Sequence, residues 1–204
     1  VEYRAGMELK AGDKVWFNNR GKALMLAVAG KKPLSEGAVV AAAHVDAPRL
    51  DLKQTPLYED NELAFFKTHY YGGIKKYQWT AIPLELHGVV ATKDGEVIEV
   101  VIGREKDDPQ FVISDLLPHL AADQMKKTLA EGVTGEGLNI LIGSAPYADE
   151  GADRVKLAVM SILNSRYDIT AEDLISAELY AVPAFEVRDL GLDRGLYEPV
   201  HAPG

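Results

Sequence analysis

The side chains best suited to chemistry lie in one short run, His44-Val45-Asp46-Ala47-Pro48-Arg49. An imidazole is a good ligand for zinc, cobalt or manganese. A carboxylate two residues on can lie beside the ring and fix its orientation. The plain alternative is a core histidine followed by a turn aspartate, and His-x-Asp by itself specifies a metal site only loosely. The other histidines are scattered at His69, His87, His119 and His201. There is no cysteine, which removes thiolate nucleophiles, thiolate metal sites and disulfides. No His-Glu-x-x-His run occurs. Residues 132–137 lack the strand-loop-Lys-helix context of a phosphate loop. Ser144 lacks the strand-to-helix elbow of a serine hydrolase. His69 among aromatics and His87 inside a β-prone run read as packing residues. Lys31-Lys32 and Lys75-Lys76 read as solvated.

These residues need a scaffold, and 204 residues with 47% hydrophobic content can bury a real core. The charge is 22 basic against 31 acidic, net −9. That argues against nucleic acid and against an anionic membrane surface, which both require a basic face. No run reaches the ~18 apolar residues of a bilayer span. No basic stretch followed by an apolar one opens the chain, and with zero cysteine the expectation is a cytoplasmic protein. The chain starts on Val1 rather than Met, which raises the expectation of a piece of something longer.

Residues 13–29 read as a hairpin turning at Asn18-Asn19-Arg20-Gly21. Ala38 to Ala43 is apolar throughout, as a strand buried on both faces would be, and it places His44 at its carboxyl end. Residues 50–102 stay mostly β, with Asp94-Gly95 as a hairpin turn. A helix is expected from Ser114 or Asp115 to Ala130, with Pro118 in its first turn. Residues 139–143 read as a short strand and 151–165 as an amphipathic helix. Residues 170–173 resemble a helix start, and 175–185 return to strand. Strands first and mixed elements later give an α/β or α+β chain.

The run Ala43-His44-Val45-Asp46-Ala47-Pro48-Arg49-Leu50-Asp51-Leu52-Lys53 resembles the metal-binding segment of aspartyl-aminopeptidase-like metallopeptidases. Three further blocks resemble the same family in the same order. They are residues 66–79 around Tyr70-Tyr71-Gly72-Gly73, residues 113–120 around His119, and Val182-Pro183-Ala184-Phe185. The resemblance implies an α/β fold in which a partial mixed-sheet metallopeptidase layer is interrupted by a β-rich dimerisation domain, barrel-like or a sandwich, with a few helices. It implies residues 1–55 as the start of the peptidase domain, 56–180 as the insert and 181–204 as the return. It implies a peptide substrate, two divalent metals per complete site (zinc, with cobalt or manganese as alternatives) and dimers that build dodecamers. His44 would be a metal ligand, Asp46 would orient it, and His119 would reach a neighbouring subunit's substrate.

The departure from the family is as informative. The family's bridging Asp, general-base Glu and remaining ligands follow the segment that matches Leu196. A two-metal site needs several carboxylates and imidazoles, and no second clustered set is visible here. The tail Gly195-Leu196-Tyr197-Glu198-Pro199-Val200-His201 departs from the family pattern. It is similar to a string in isocitrate and isopropylmalate dehydrogenases, too short to carry that fold. His201 is therefore not carried over as a ligand. Two readings follow: a metal-dependent aminopeptidase with little activity in this piece alone, or a non-catalytic dimerisation fragment of such an enzyme.

Overall fold

The structure is a computed structural model that describes residues 1–44, 46–147 and 151–197. His201 lies outside the described residues. The chain divides into two units, residues 1–45 and 46–204.

The first unit is built on the expected hairpin. β1 (Lys14–Asn19) pairs antiparallel with β2 (Ala23–Val28), from Lys14↔Val28 to Asn19↔Ala23. Arg20 and Gly21 take positive φ at the turn, and the Asn18 side chain accepts from the Gly21 amide at 2.7 Å. The amino-terminal residues add to the free edge of β1 through a parallel bridge, Glu2↔Trp16. Leu24, Met25, Leu26 and Val28 are all exposed.

The strand expected at 38–43 does not form, and these residues are irregular and exposed. Val39 and Val40 are 102% and 82% exposed. The physical reason is pairing. A strand is stable only with neighbours that satisfy its amides and cover its faces, and this run has no ladder partner among the described strands.

The second unit is one antiparallel sheet with a helix. Its strands are β3 (Arg49–Asp60), β4 (Leu63–Tyr71), β5 (Leu84–Ala91), β6 (Val97–Ile102), β7 (Ile140–Gly143) and β8 (Ala177–Pro183). Their order across the sheet is β6-β5-β8-β3-β4-β7. A minor pair, β9 (Asp189–Leu190) with β10 (Leu196–Tyr197), follows. α1 (Arg154–Tyr167) is the long helix expected near 151–165. The β-rich unit with few helices is as expected, and its six strands make one sheet without closing into a barrel. The segment carrying Phe111 and Val112 links β5 to the far edge strand β7. Phe111 bridges Leu84 of β5, and Val112 bridges Leu141 of β7. The sheet is therefore curled, because adjacent residues reach β5 and β7, which three other strands separate in its order.

Period-two alternation sets the core. Leu84, Leu86 and Val90 of β5 pack with Leu50, Phe66, Val100, Ile102 and Ala181 from neighbouring strands. Val155, Val159 and Leu163 of α1 cover the same face. The amino terminus of α1 is not capped by its own Asp153, which sits at φ 54 and whose side chain makes no capping bond to a backbone amide. Instead Glu59 of β3 accepts from the Val155 and Lys156 amides, both at 2.9 Å. These are the orphan donors of a first helical turn.

The helix expected over 115–130 does not form. Turns and a 3-10 turn at Gln124–Lys126 replace it. Leu116, Leu117, Leu120, Met125 and Leu129 are all exposed. Most helical stability comes from burying one face, and this segment buries little. The helix start expected at 170–173 yields only a short 3-10 turn, Asp173–Ser176.

Candidate metal-site segment

The sequence places its leading candidates on either side of the boundary between the two units. His44 ends the exposed, irregular run of the first unit. Asp46 opens the second unit, three residues before β3 begins.

Asp46 is exposed, and one of its oxygens is held. The Tyr71 hydroxyl donates to Asp46 Oδ2 at 3.0 Å. That bond, and the negative charge behind it, raise the Tyr71 phenol above its ordinary value. Tyr71 is brought there by the β3–β4 register, which pairs it with Arg49. The Arg49 guanidinium lies 4.2 Å from the Tyr71 ring centroid and 5.5 Å from that of Tyr180. Its Nε donates to Asp51 Oδ1 at 2.6 Å. The result is a charged and aromatic stripe over β4, β3 and β8.

His119 lies on an exposed turn at 118–120, in the apolar segment where the helix fails. Among the described residues no group of three or more His, Cys, Asp or Glu could hold a metal ion. The donor types at 44 and 46 fit the edge of such a site, an imidazole ligand with a carboxylate to orient it. They do not make a complete centre on their own.

Two features escaped the sequence reading. Tyr71 belongs to the Tyr70-Tyr71-Gly72-Gly73 run, but its pairing with Arg49 is long-range and invisible without the sheet register. His87 does pack, stacked 6.0 Å from Tyr180, and it also has a specific partner. Its Nε2 lies 2.8 Å from Glu85 Oε1, and both side chains are about nine-tenths buried. Arg104 Nη2 reaches the same oxygen at 3.2 Å. The i, i+2 spacing of Glu85 and His87 on one strand was the available signal. His69 stacks on Tyr70 with centroids 5.6 Å apart.

The second unit also holds a cavity of about 380 Å³ between the sheet, α1 and residues 109–112. Phe66, Leu86, Phe111, Val159 and Tyr167 contribute to its walls, and Arg166 stands among them. None of the candidate site residues lines it.

The comparisons with known proteins agree with the blocks read from the sequence. The family model described as aminopeptidase I zinc metalloprotease (M18) matches residues 2–198. A probable M18 family aminopeptidase 1 from Clostridium acetobutylicum is 54% identical over 192 residues, covering 94% of this chain and 41% of that protein. Its Thermotoga maritima counterpart is 48% identical over 182 residues, covering 89% and 40%. The crystal structure of aminopeptidase I from Clostridium acetobutylicum superposes with a TM-score of 0.83 at 52% identity, covering 93% of this chain and 42% of that one. The mApe1 dodecamer of Saccharomyces cerevisiae shares the fold at 18% identity, with a TM-score of 0.57, covering 90% and 40%. The chain thus spans about two-fifths of the length of the relatives it matches. A model matched over nearly every residue, with the His44, Tyr71, His119 and Val182 blocks in order inside it, places this chain in the M18 family of aminopeptidases.

Proposed function

We propose that this chain supplies the first metal-ligand segment and the assembly domain of a zinc-dependent aminopeptidase that releases N-terminal residues from peptides. His44 is a ligand to one metal, Asp46 orients its ring, and His119 contacts substrate in a neighbouring subunit. When bound, a pair of divalent cations polarises the scissile carbonyl and lowers the pKa of a bound water. The chain's own contribution is to supply the imidazole and to hold the carboxylate in place through Tyr71. The observation that carries the reading is the Asp46 carboxylate held by Tyr71, in a chain that the M18 model matches from residue 2 to 198.

The chain alone has little or no peptidase turnover, because a water-activating site needs more donors than the described residues bring together. Oligomerisation through the second unit is the second reading, a dimer that builds toward a dodecamer. The exposed apolar side chains at 116–129 favour it, since such surface is usually covered by a partner. Light scattering with elemental analysis on one purified sample tests both. The expected result is a dimer or larger particle with little bound zinc. A monomer at all concentrations would contradict the assembly reading. Stoichiometric zinc on the chain alone would contradict the partial site.

A further inference from the structure

The segment that starts at Asp46 is held against the end of β4 by several contacts, one of them made by Asp46 itself. Tyr71, the last residue of β4, donates its hydroxyl to Asp46 Oδ2 at 3.0 Å. Tyr71 also pairs in register with Arg49, whose guanidinium covers its ring at 4.2 Å. Arg49 is in turn fixed by Asp51 at 2.6 Å. Gly72, at φ +81, lies against Pro48, and a Cβ there would meet Pro48 atoms at 3.8–3.9 Å. The segment from Asp46 to Asp51 therefore rests on β4, with Tyr71 at its centre.

A carboxylate with one oxygen held by a hydroxyl keeps fewer orientations than a free one, and the partners of such groups fix metal-ligand geometry. A phenol capped by an arginine has little freedom to swing away. We propose that Tyr71 is a positioning residue for Asp46, so that the β-rich domain helps set the geometry of the metal-ligand segment as well as supporting assembly. The proposal rests on the reading that Asp46 orients His44. It gives the Tyr70-Tyr71-Gly72-Gly73 block a task that assembly alone does not require.

The test uses the full chain labelled uniformly with 15N, and reads the tautomer of the His44 ring by NMR at neutral pH. Two variants are compared with the parent. Tyr71→Phe removes only the hydroxyl and keeps the ring under Arg49. Asp46→Asn removes the carboxylate charge. Unchanged amide signals from β5 and β8 establish that each variant folds. The expected result is one dominant His44 tautomer in the parent and a mixture in both variants. If Asp46→Asn changes the His44 ring and Tyr71→Phe does not, Tyr71 has no positioning role and the proposal fails while the role of Asp46 stands. If neither variant changes the ring, Asp46 does not orient His44, and both the reading and the proposal fall.

Discussion

Gly88 is the position where one added methyl group should do the most damage. It sits in β5 opposite Leu179 of β8, at φ +139. A Cβ at Gly88 would lie 1.9 Å from the Glu178 carbonyl oxygen and 2.9 Å from the Glu178 carbonyl carbon and Leu179 Cα. Every one of these atoms is backbone, so no side chain can turn aside. Ordinary contact begins at 3.4 Å, so the Glu178 carbonyl must retreat by about 1.5 Å (3.4 less 1.9). A ladder hydrogen bond of about 2.9 Å stretched by that much is lost. The positive φ costs a non-glycine residue about 1–2 kcal/mol. Overpacking adds about 1–3 kcal/mol, and each lost ladder bond about 1 kcal/mol. Gly88→Ala is therefore expected to lose about 3–6 kcal/mol, a large part of a domain's usual 5–15 kcal/mol. Urea denaturation reads this as a lower midpoint at unchanged slope. Gly95→Ala is the matched control. Gly95 has φ +83 and nothing within 4 Å of its would-be Cβ, so only the conformational cost of about 1–2 kcal/mol applies. Equal losses at the two positions, or a loss below about 1 kcal/mol at Gly88, would refute the steric argument.

Further expectations follow from the same contacts. Glu59→Ala leaves the Val155 and Lys156 amides without their carboxylate, and should cost about 1–2 kcal/mol with faster amide exchange confined to the start of α1. Thr68 is buried and its hydroxyl donates to the Leu138 carbonyl at 2.5 Å. Thr68→Val should therefore lower stability by about 1–3 kcal/mol, measured by chemical denaturation. The Arg166 guanidinium, with the Gly103 amide, holds the Asp108 carboxyl below its ordinary value. A lowered folded pKa contributes stability that is complete above the unfolded value of about 3.9 and is lost as pH falls through the folded one. Asp108→Asn should thus be less stable than the parent at neutral pH, with a shallower fall in melting temperature between pH 5 and pH 2.

Local signals carried well where the element needed no distant partner. Asp94-Gly95 marked the β5–β6 turn, and Gly95 takes the positive φ that such a turn requires. The apolar spacing of Val155, Ala158, Val159, Ile162 and Leu163 marked α1; Val155, Val159 and Leu163 pack on the sheet, while Ile162 is exposed. The readings failed where burial had to come from elsewhere. Residues 38–43 have the composition of a doubly covered strand, yet no described strand pairs with them. Residues 115–130 have a helix start and apolar side chains, but of these Ala121 is buried while Leu116, Leu117, Leu120, Met125 and Leu129 stay exposed. In the candidate site, His44 and Asp46 were visible as residue types. Their supporting contacts were not, because Tyr71 and Arg49 meet only through the β3–β4 register. Arg104 and Glu85 likewise meet across 19 positions of sequence.

The central claim is that this chain holds one end of a metal-dependent aminopeptidase site and needs further ligands to turn over. The direct measurement joins the chain to the remaining carboxyl-terminal portion of its Clostridium acetobutylicum relative, and follows zinc-dependent release from an aminoacyl reporter. The account predicts turnover by the fusion, none by the chain alone, and loss of turnover in the fusion with His44→Ala. Zinc-dependent turnover by the chain alone, or full activity of the His44→Ala fusion, would contradict it.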